Sequence, residues 1–164
     1  MTIPPRVDHG LARLAAQTLD AIRDPRTGQV SDQIITRLKG LPALLRTSGP
    51  LPTLAFFASK SGQGNPLERA YAVVGNELRV QFAAEIGEAA HADATFTEFV
   101  LALTDQNVPA DALARASTRL EEFALWLRRL AEAIEQEQQG AKPSVSDHDA
   151  GGQRARRSEG GAGA

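Results

Sequence analysis

The sequence contains no cysteine, which removes disulfides, thiolate nucleophiles and thiolate metal sites from consideration. It has no apolar run near the roughly 20 residues that a membrane-spanning helix needs. Its opening residues, MTIPPRVDHG, lack the apolar centre of a signal peptide, so the protein is expected to stay where it is made, in the cytoplasm. Strong charge of one sign is missing too, since 18 Lys and Arg oppose 20 Asp and Glu. A domain that wraps nucleic acid unaided is usually strongly basic, so only a local basic face remains open. Lysine is confined to Lys39, Lys60 and Lys142, leaving arginine to carry most positive charge. Arginine suits bidentate contact with phosphate or carboxylate, although a GC-rich genome produces the same bias.

Strand patterning is also scarce. Apart from short runs such as Val73-Val74, no stretch alternates apolar and polar residues, and no segment recurs at a fixed period. With 164 residues, 42% of them hydrophobic and 23% charged, the chain suffices for one domain with a single core.

What is present is helix punctuation. The centre of the chain is Leu41 to Lys60, LPALLRTSGPLPTLAFFASK, where apolar arms ending in Leu44-Leu45 and containing Leu51, Leu54, Phe56 and Phe57 meet at a turn. Gly49 can adopt the left-handed conformation that closes a helix, Pro50 cannot donate the amide that would prolong it, and Pro52 suits the first residue of a new one. Upstream, a helix is predicted from Asp8, as N-cap, to Arg23, with Leu11, Leu14, Ala15, Leu19 and Ile22 on one face, ended by Asp24-Pro25-Arg26-Thr27-Gly28. A second opens near Ser31 with the stripe Ile34, Ile35, Leu38 and Leu41. Pro42 predicts a kink in it, or two short helices sharing a face.

Downstream, Leu51, Leu54, Ala55 and Ala58 mark a short helix ending at Lys60. Asn65-Pro66 starts another that carries Leu67, Tyr71, Val74, Leu78 and Phe82 to about Ile86. Gly75 weakens its middle by about 1 kcal/mol, as close helix contact or simple tolerance would explain. After a polar loop over 87–94, a short helix presents Phe96, Phe99, Val100 and Leu103. The longest is predicted from Pro109 to about Glu137, with Leu113, Ala116, Leu120, Phe123, Leu127, Leu130 and Ile134 at three- and four-residue steps, widened by Trp126 and Ala131. The fold class is therefore all-α, a single-domain bundle of about six helices over residues 8–137. Residues 1–7 are expected to be flexible, and the polar residues 138–164 bury too little to offset their ordering entropy.

Chemistry is sparse. His9, His91 and His148 show no spacing that would place two imidazoles on one metal. His91, Asp93 and Glu98 have no nucleophile or oxyanion donor beside them. The loop Lys60-Ser61-Gly62-Gln63-Gly64-Asn65 superficially resembles a phosphate-gripping loop, but it lacks the Gly-Lys-Ser/Thr ending and a preceding strand, so a helix connector is expected. Glu121-Glu122 and Glu85/Glu88 read as solvated helix faces. The arginines remain. Arg37 and Arg46 flank the stripe of the second helix, and Arg128-Arg129 follow Trp126-Leu127 on the last, each able to hold a phosphate or to pair with a carboxylate. From the residues alone, this is a helical module with no evident catalytic centre, calling for no cofactor and no metal.

Two stretches together resemble the small subunit of type III-B (Cmr) CRISPR-Cas effector complexes. The first provides Pro42, Leu44, Leu45, Gly49, Leu51, Ala55, Phe56 and Lys60. The second is Leu125-Trp126-Leu127-Arg128-Arg129-Leu130-Ala131. The likeness spans about Gly10 to Ala133. It departs at Pro50, where glycine is usually followed directly by leucine, and at Leu130, which replaces a usual aromatic. The resemblance implies a subunit without catalytic activity, whose copies stack head to tail beside the backbone subunits and line the groove holding the guide-target RNA duplex. On that reading Arg46, Lys60, Arg128 and Arg129 contact RNA or partner subunits, Arg46 being chosen from the residues alone. Few phosphate contacts per copy suffice in a shared groove, and heterologous stacking needs two different complementary faces. The first rival reading, a helix-turn-helix regulator, is disfavoured because PLPTLAFFASK is too apolar to read base edges. A carboxylate enzyme is disfavoured by the scatter of the acidic residues.

Overall fold

The computed structural model describes residues 7–86, 94–105 and 108–141. Six helices follow in chain order: α1 (Val7–Ala21), α2 (Asp32–Ser48), α3 (Pro50–Lys60), α4 (Pro66–Ala84), α5 (Phe96–Asp105) and α6 (Ala110–Gly140). No strand occurs among the described residues, so the all-α expectation holds.

Each start has a local cause. At α2 the Ser31 hydroxyl oxygen accepts from the Gln33 amide at 3.3 Å, satisfying one donor that the first turn leaves open. At α4, Asn65 accepts from the Glu68 amide at 2.9 Å while the Glu68 carboxylate accepts from the Gly64 amide at 2.9 Å, a reciprocal arrangement of the capping-box kind. At α5, the Glu98 carboxylate accepts from the Thr95 amide at 2.7 Å, and the Thr95 hydroxyl oxygen accepts from the Glu98 amide at 3.2 Å. Hydrogen bonding from Thr95, its amide first and its side chain second, holds the Glu98 carboxyl below its usual range. That accounts for Glu98 without catalysis, and His91 and Asp93 lie outside the described residues.

Several boundaries differ from the sequence reading. The first helix already includes Val7, so Asp8 lies inside its opening turn and is not the cap. α2 runs through Pro42 as one helix of 17 residues. The proline forfeits its amide bond there, but Leu41 and Pro42 are both buried, and that packing carries the helix across the gap. α3 opens at Pro50, two residues earlier than Pro52 suggested. It buries Thr53, Leu54 and Phe57, while Leu51 and Ala55 face outward. Gly49 has the expected positive φ of 83°, yet its ψ of 173° is extended rather than helical. A following proline drives the preceding residue to extended ψ, and only glycine adopts that combination readily. α4 ends at Ala84 and α6 continues to Gly140, three residues beyond Glu137.

α6 is the spine, packed against α1, α2 and α4, and α3 packs on α4 and α2. Its residues Ala116, Leu120, Phe123, Ala124, Leu127 and Ala131 have no exposed surface. The packing of α3 on α4 explains Gly75, where a Cβ would lie 3.0 Å from the Phe57 Cβ. Close approach, not tolerance, is the reason for that glycine. α5 joins through Phe99, whose ring stands 6.5 Å from that of Phe82 in an edge-on arrangement.

Candidate nucleic-acid interface

α2 and α6 run antiparallel. The register is marked by Val30 beside Gln138, Lys39 beside Glu135 at 2.6 Å, and Arg46 beside Glu121 at 3.9 Å. On α6, Glu121, Arg128 and Glu135 are spaced by seven residues, so they share one flank, the one turned toward α2. Arg128 pairs along its own helix with Glu132 at 3.0 Å. Arg46 and Arg128 thus belong to one charged seam, each with a protein carboxylate. Both pairs are exposed, and such pairs contribute about 0–1 kcal/mol each.

Arg129 is turned away from that seam, its guanidinium 5.6 Å from the centre of the half-buried Trp126 ring. Lys60 ends α3, is exposed, and makes no ion pair among the described residues. The four residues Arg46, Lys60, Arg128 and Arg129 therefore form no single patch. Two share the seam, and the others occupy separate faces.

Arg37 and Arg46 are nine residues apart on α2, half a turn out of phase, and lie on opposite flanks. Arg37 faces α3, where its guanidinium carbon sits 4.7 Å from the centre of the Phe56 ring. Phe56 is held edge-on against Phe57 at 5.7 Å and Tyr71 at 6.1 Å. Sequence reasoning grouped Phe56 with the apolar arm and missed this stacking, because no local pattern links positions 37 and 56.

Glu85 and Glu121 are more engaged than solvated faces would be, whereas Glu122 is exposed and makes no ion pair among the described residues. Glu85 accepts from Arg119 at 3.3 Å and lies 3.9 Å from Arg115, which also bonds Asp111 at 2.7 Å. The Arg115 guanidinium, by hydrogen bond first and charge second, holds the Asp111 carboxyl below its usual range. Gln81, 4% exposed, joins the network by accepting from Arg119 and donating to Glu77. Glu121 is likewise paired, whereas Glu88 lies outside the described residues. The loop after Lys60 does cradle an anion, but it is the protein's own: Gly62 and Gly64 wrap the Glu68 carboxylate so closely that a Cβ at either would come within 2.6 and 2.8 Å of it.

Among the described residues, no three His, Asp or Glu side chains gather to hold a metal ion, and no helix is long and apolar enough to cross a membrane. His148 lies outside the described residues and His9 is exposed on α1. The exposed residues Leu51, Pro52 and Ala55 of α3 carry no side-chain donor or acceptor that would read base edges.

No curated protein and no solved structure matches the chain significantly. Residues 10–134 match the family model of the CRISPR-associated protein Cas_Cmr5. That span takes in most of the helical bundle, and the chain belongs to the Cas_Cmr5 family of CRISPR-associated proteins.

Proposed function

We propose that this protein is a non-catalytic structural subunit of a type III-B RNA-guided effector complex in antiviral defence. Copies stack into a filament that lines the groove of the guide-target RNA duplex, beside the backbone subunits, in the cytoplasm. The observation that carries this reading is the family match across residues 10–134, which leaves little of the bundle outside it. Arg46, Lys60, Arg128 and Arg129 are the proposed contacts with RNA or neighbouring subunits. Arg46 and Arg128 would exchange a protein carboxylate for a phosphate, which costs little because both pairs are exposed. Base pairing by the guide supplies sequence specificity, so no base-reading side chains are required.

The test is reconstitution of the effector with and without the chain, followed by measurement of subunit assembly and retention of a complementary target RNA. Loss of retention is the expected result. Equal assembly and equal retention without the chain would overturn the proposal, as would turnover of a substrate by the purified protein.

A further inference from the structure

Cations on this surface divide into two sorts. Arg46, Arg115, Arg119 and Arg128 each have a carboxylate within 4 Å. Arg13, Arg26, Arg37, Lys60, Arg69 and Arg129 are exposed and have none among the described residues. Of these, Arg37 and Lys60 are linked through one residue, Phe56. Arg37 lies over Phe56 at 4.7 Å, and Lys60 follows Phe56 by four residues, on the same face of α3. The carboxylate nearest to Lys60 in sequence, Glu68, is already engaged by the Gly64 amide at 2.9 Å and the Asn65 side-chain amide at 3.0 Å.

Phe56 is itself fixed by Phe57 and Tyr71. The Arg37 guanidinium therefore rests against a ring that is itself fixed before any ligand arrives, and its forked N–H donors are of the kind that contact phosphate bidentately. A free arginine loses much of its rotamer entropy on binding, whereas a stacked one has lost part of it already. Lys60 adds a second charge with three donors.

We propose that Arg37, Phe56 and Lys60 form a phosphate-binding platform that seats the backbone of a guide-target RNA duplex, Arg37 being the principal contact and Phe56 its positioning residue. The inference rests on the RNA-lining reading above and names the surface by which that lining occurs. An acidic protein face is the competing occupant.

The experiment titrates the purified full-length chain against a fluorescein-labelled guide-target RNA duplex, by anisotropy, between about 50 and 200 mM salt. Arg37→Gln with Lys60→Gln should weaken binding roughly tenfold or more at the lower salt and reduce the slope of log K against log salt by about 2. Arg13→Gln with Arg26→Gln removes the same charge from exposed positions elsewhere that make no ion pair among the described residues, and should change binding less than about twofold. Phe56→Leu keeps both charges and should weaken binding by a smaller factor, with helicity by circular dichroism unchanged. Equal losses from the two charge-matched pairs overturn the platform, since they would reflect net charge alone. Undiminished binding by the Arg37/Lys60 variant overturns it while leaving the RNA reading standing, and absence of binding by the wild-type chain overturns it outright. Loss of co-purifying effector subunits with RNA binding intact assigns the surface to an acidic protein face and likewise overturns it.

Discussion

α3 carries the second half of one stretch on which the resemblance rests and α6 carries the other, and they use their residues differently. α6 has 31 residues and buries eight of them, and Arg115, Arg119, Glu121, Arg128 and Glu135 each find an oppositely charged partner within the bundle. α3 has 11 residues and buries three, and its single charged residue, Lys60, makes no ion pair among the described residues. A spine helix touches several neighbours, so its charges meet partners and serve the fold. A short helix held by a few buried side chains can direct its charge outward.

The sharpest way to break this contrast is to hollow the spine. Phe123 is fully buried, so Phe123→Ala should lower unfolding free energy by about 3–5 kcal/mol in denaturant titration. Phe56→Ala, at a half-buried ring on α3, should cost clearly less, and equal losses would erase the distinction. The corner gives the next effect. Gly49→Ala should cost about 1–3 kcal/mol through backbone strain alone, because nothing lies within 4 Å of the added methyl. Gly40→Ala, in open space on α2, should instead raise stability by about 0.5–1 kcal/mol.

Smaller changes sharpen the account of the seam. Arg46→Gln and Arg128→Gln should each shift stability by less than about 1 kcal/mol, measured as the urea midpoint. The smallest effect concerns pH. The Asp111 carboxyl is lowered in the folded state by Arg115, so its contribution is present above the ordinary aspartate pKa and disappears as pH falls through the lowered value. Asp111→Asn should therefore lower the melting temperature slightly near neutrality and leave it unchanged in strong acid.

Elements announced by local chemistry were legible from residues alone. Ser31 and Asn65-Pro66 marked helix starts because their side chains satisfy amides only two or three positions away. The stripe of α6 could be read because its period is set by the helix itself, although Leu113, at 39% exposure, belongs to solvent more than to the core. Of the two outcomes Pro42 suggested, the split into two short helices does not occur, because the proline's cost is local while the packing that offsets it comes from elsewhere in the fold. The partners of Arg46 and Arg37 were not legible, since Glu121 and Phe56 reach them only through tertiary packing. Arg128 with Glu132 is different: the four-residue spacing was visible, and it favoured pairing.

Gln138 offers a last consequence. Its side-chain carbonyl accepts from the Val30 amide at 2.8 Å, and its side-chain nitrogen donates to the Val30 carbonyl at 3.1 Å. One carboxamide thereby answers both backbone groups of a residue that has no helix or sheet to answer them. Exchanging its nitrogen for oxygen, as hydrolysis of the amide does, would set a negative atom against the Val30 carbonyl and turn half of that latch into repulsion. The joint between the first two helices, closed on itself by bonds such as that from the Asp24 amide to the Gln29 carbonyl, is thus tied to α6 through one carboxamide, and that tie is sensitive to an alteration of one atom.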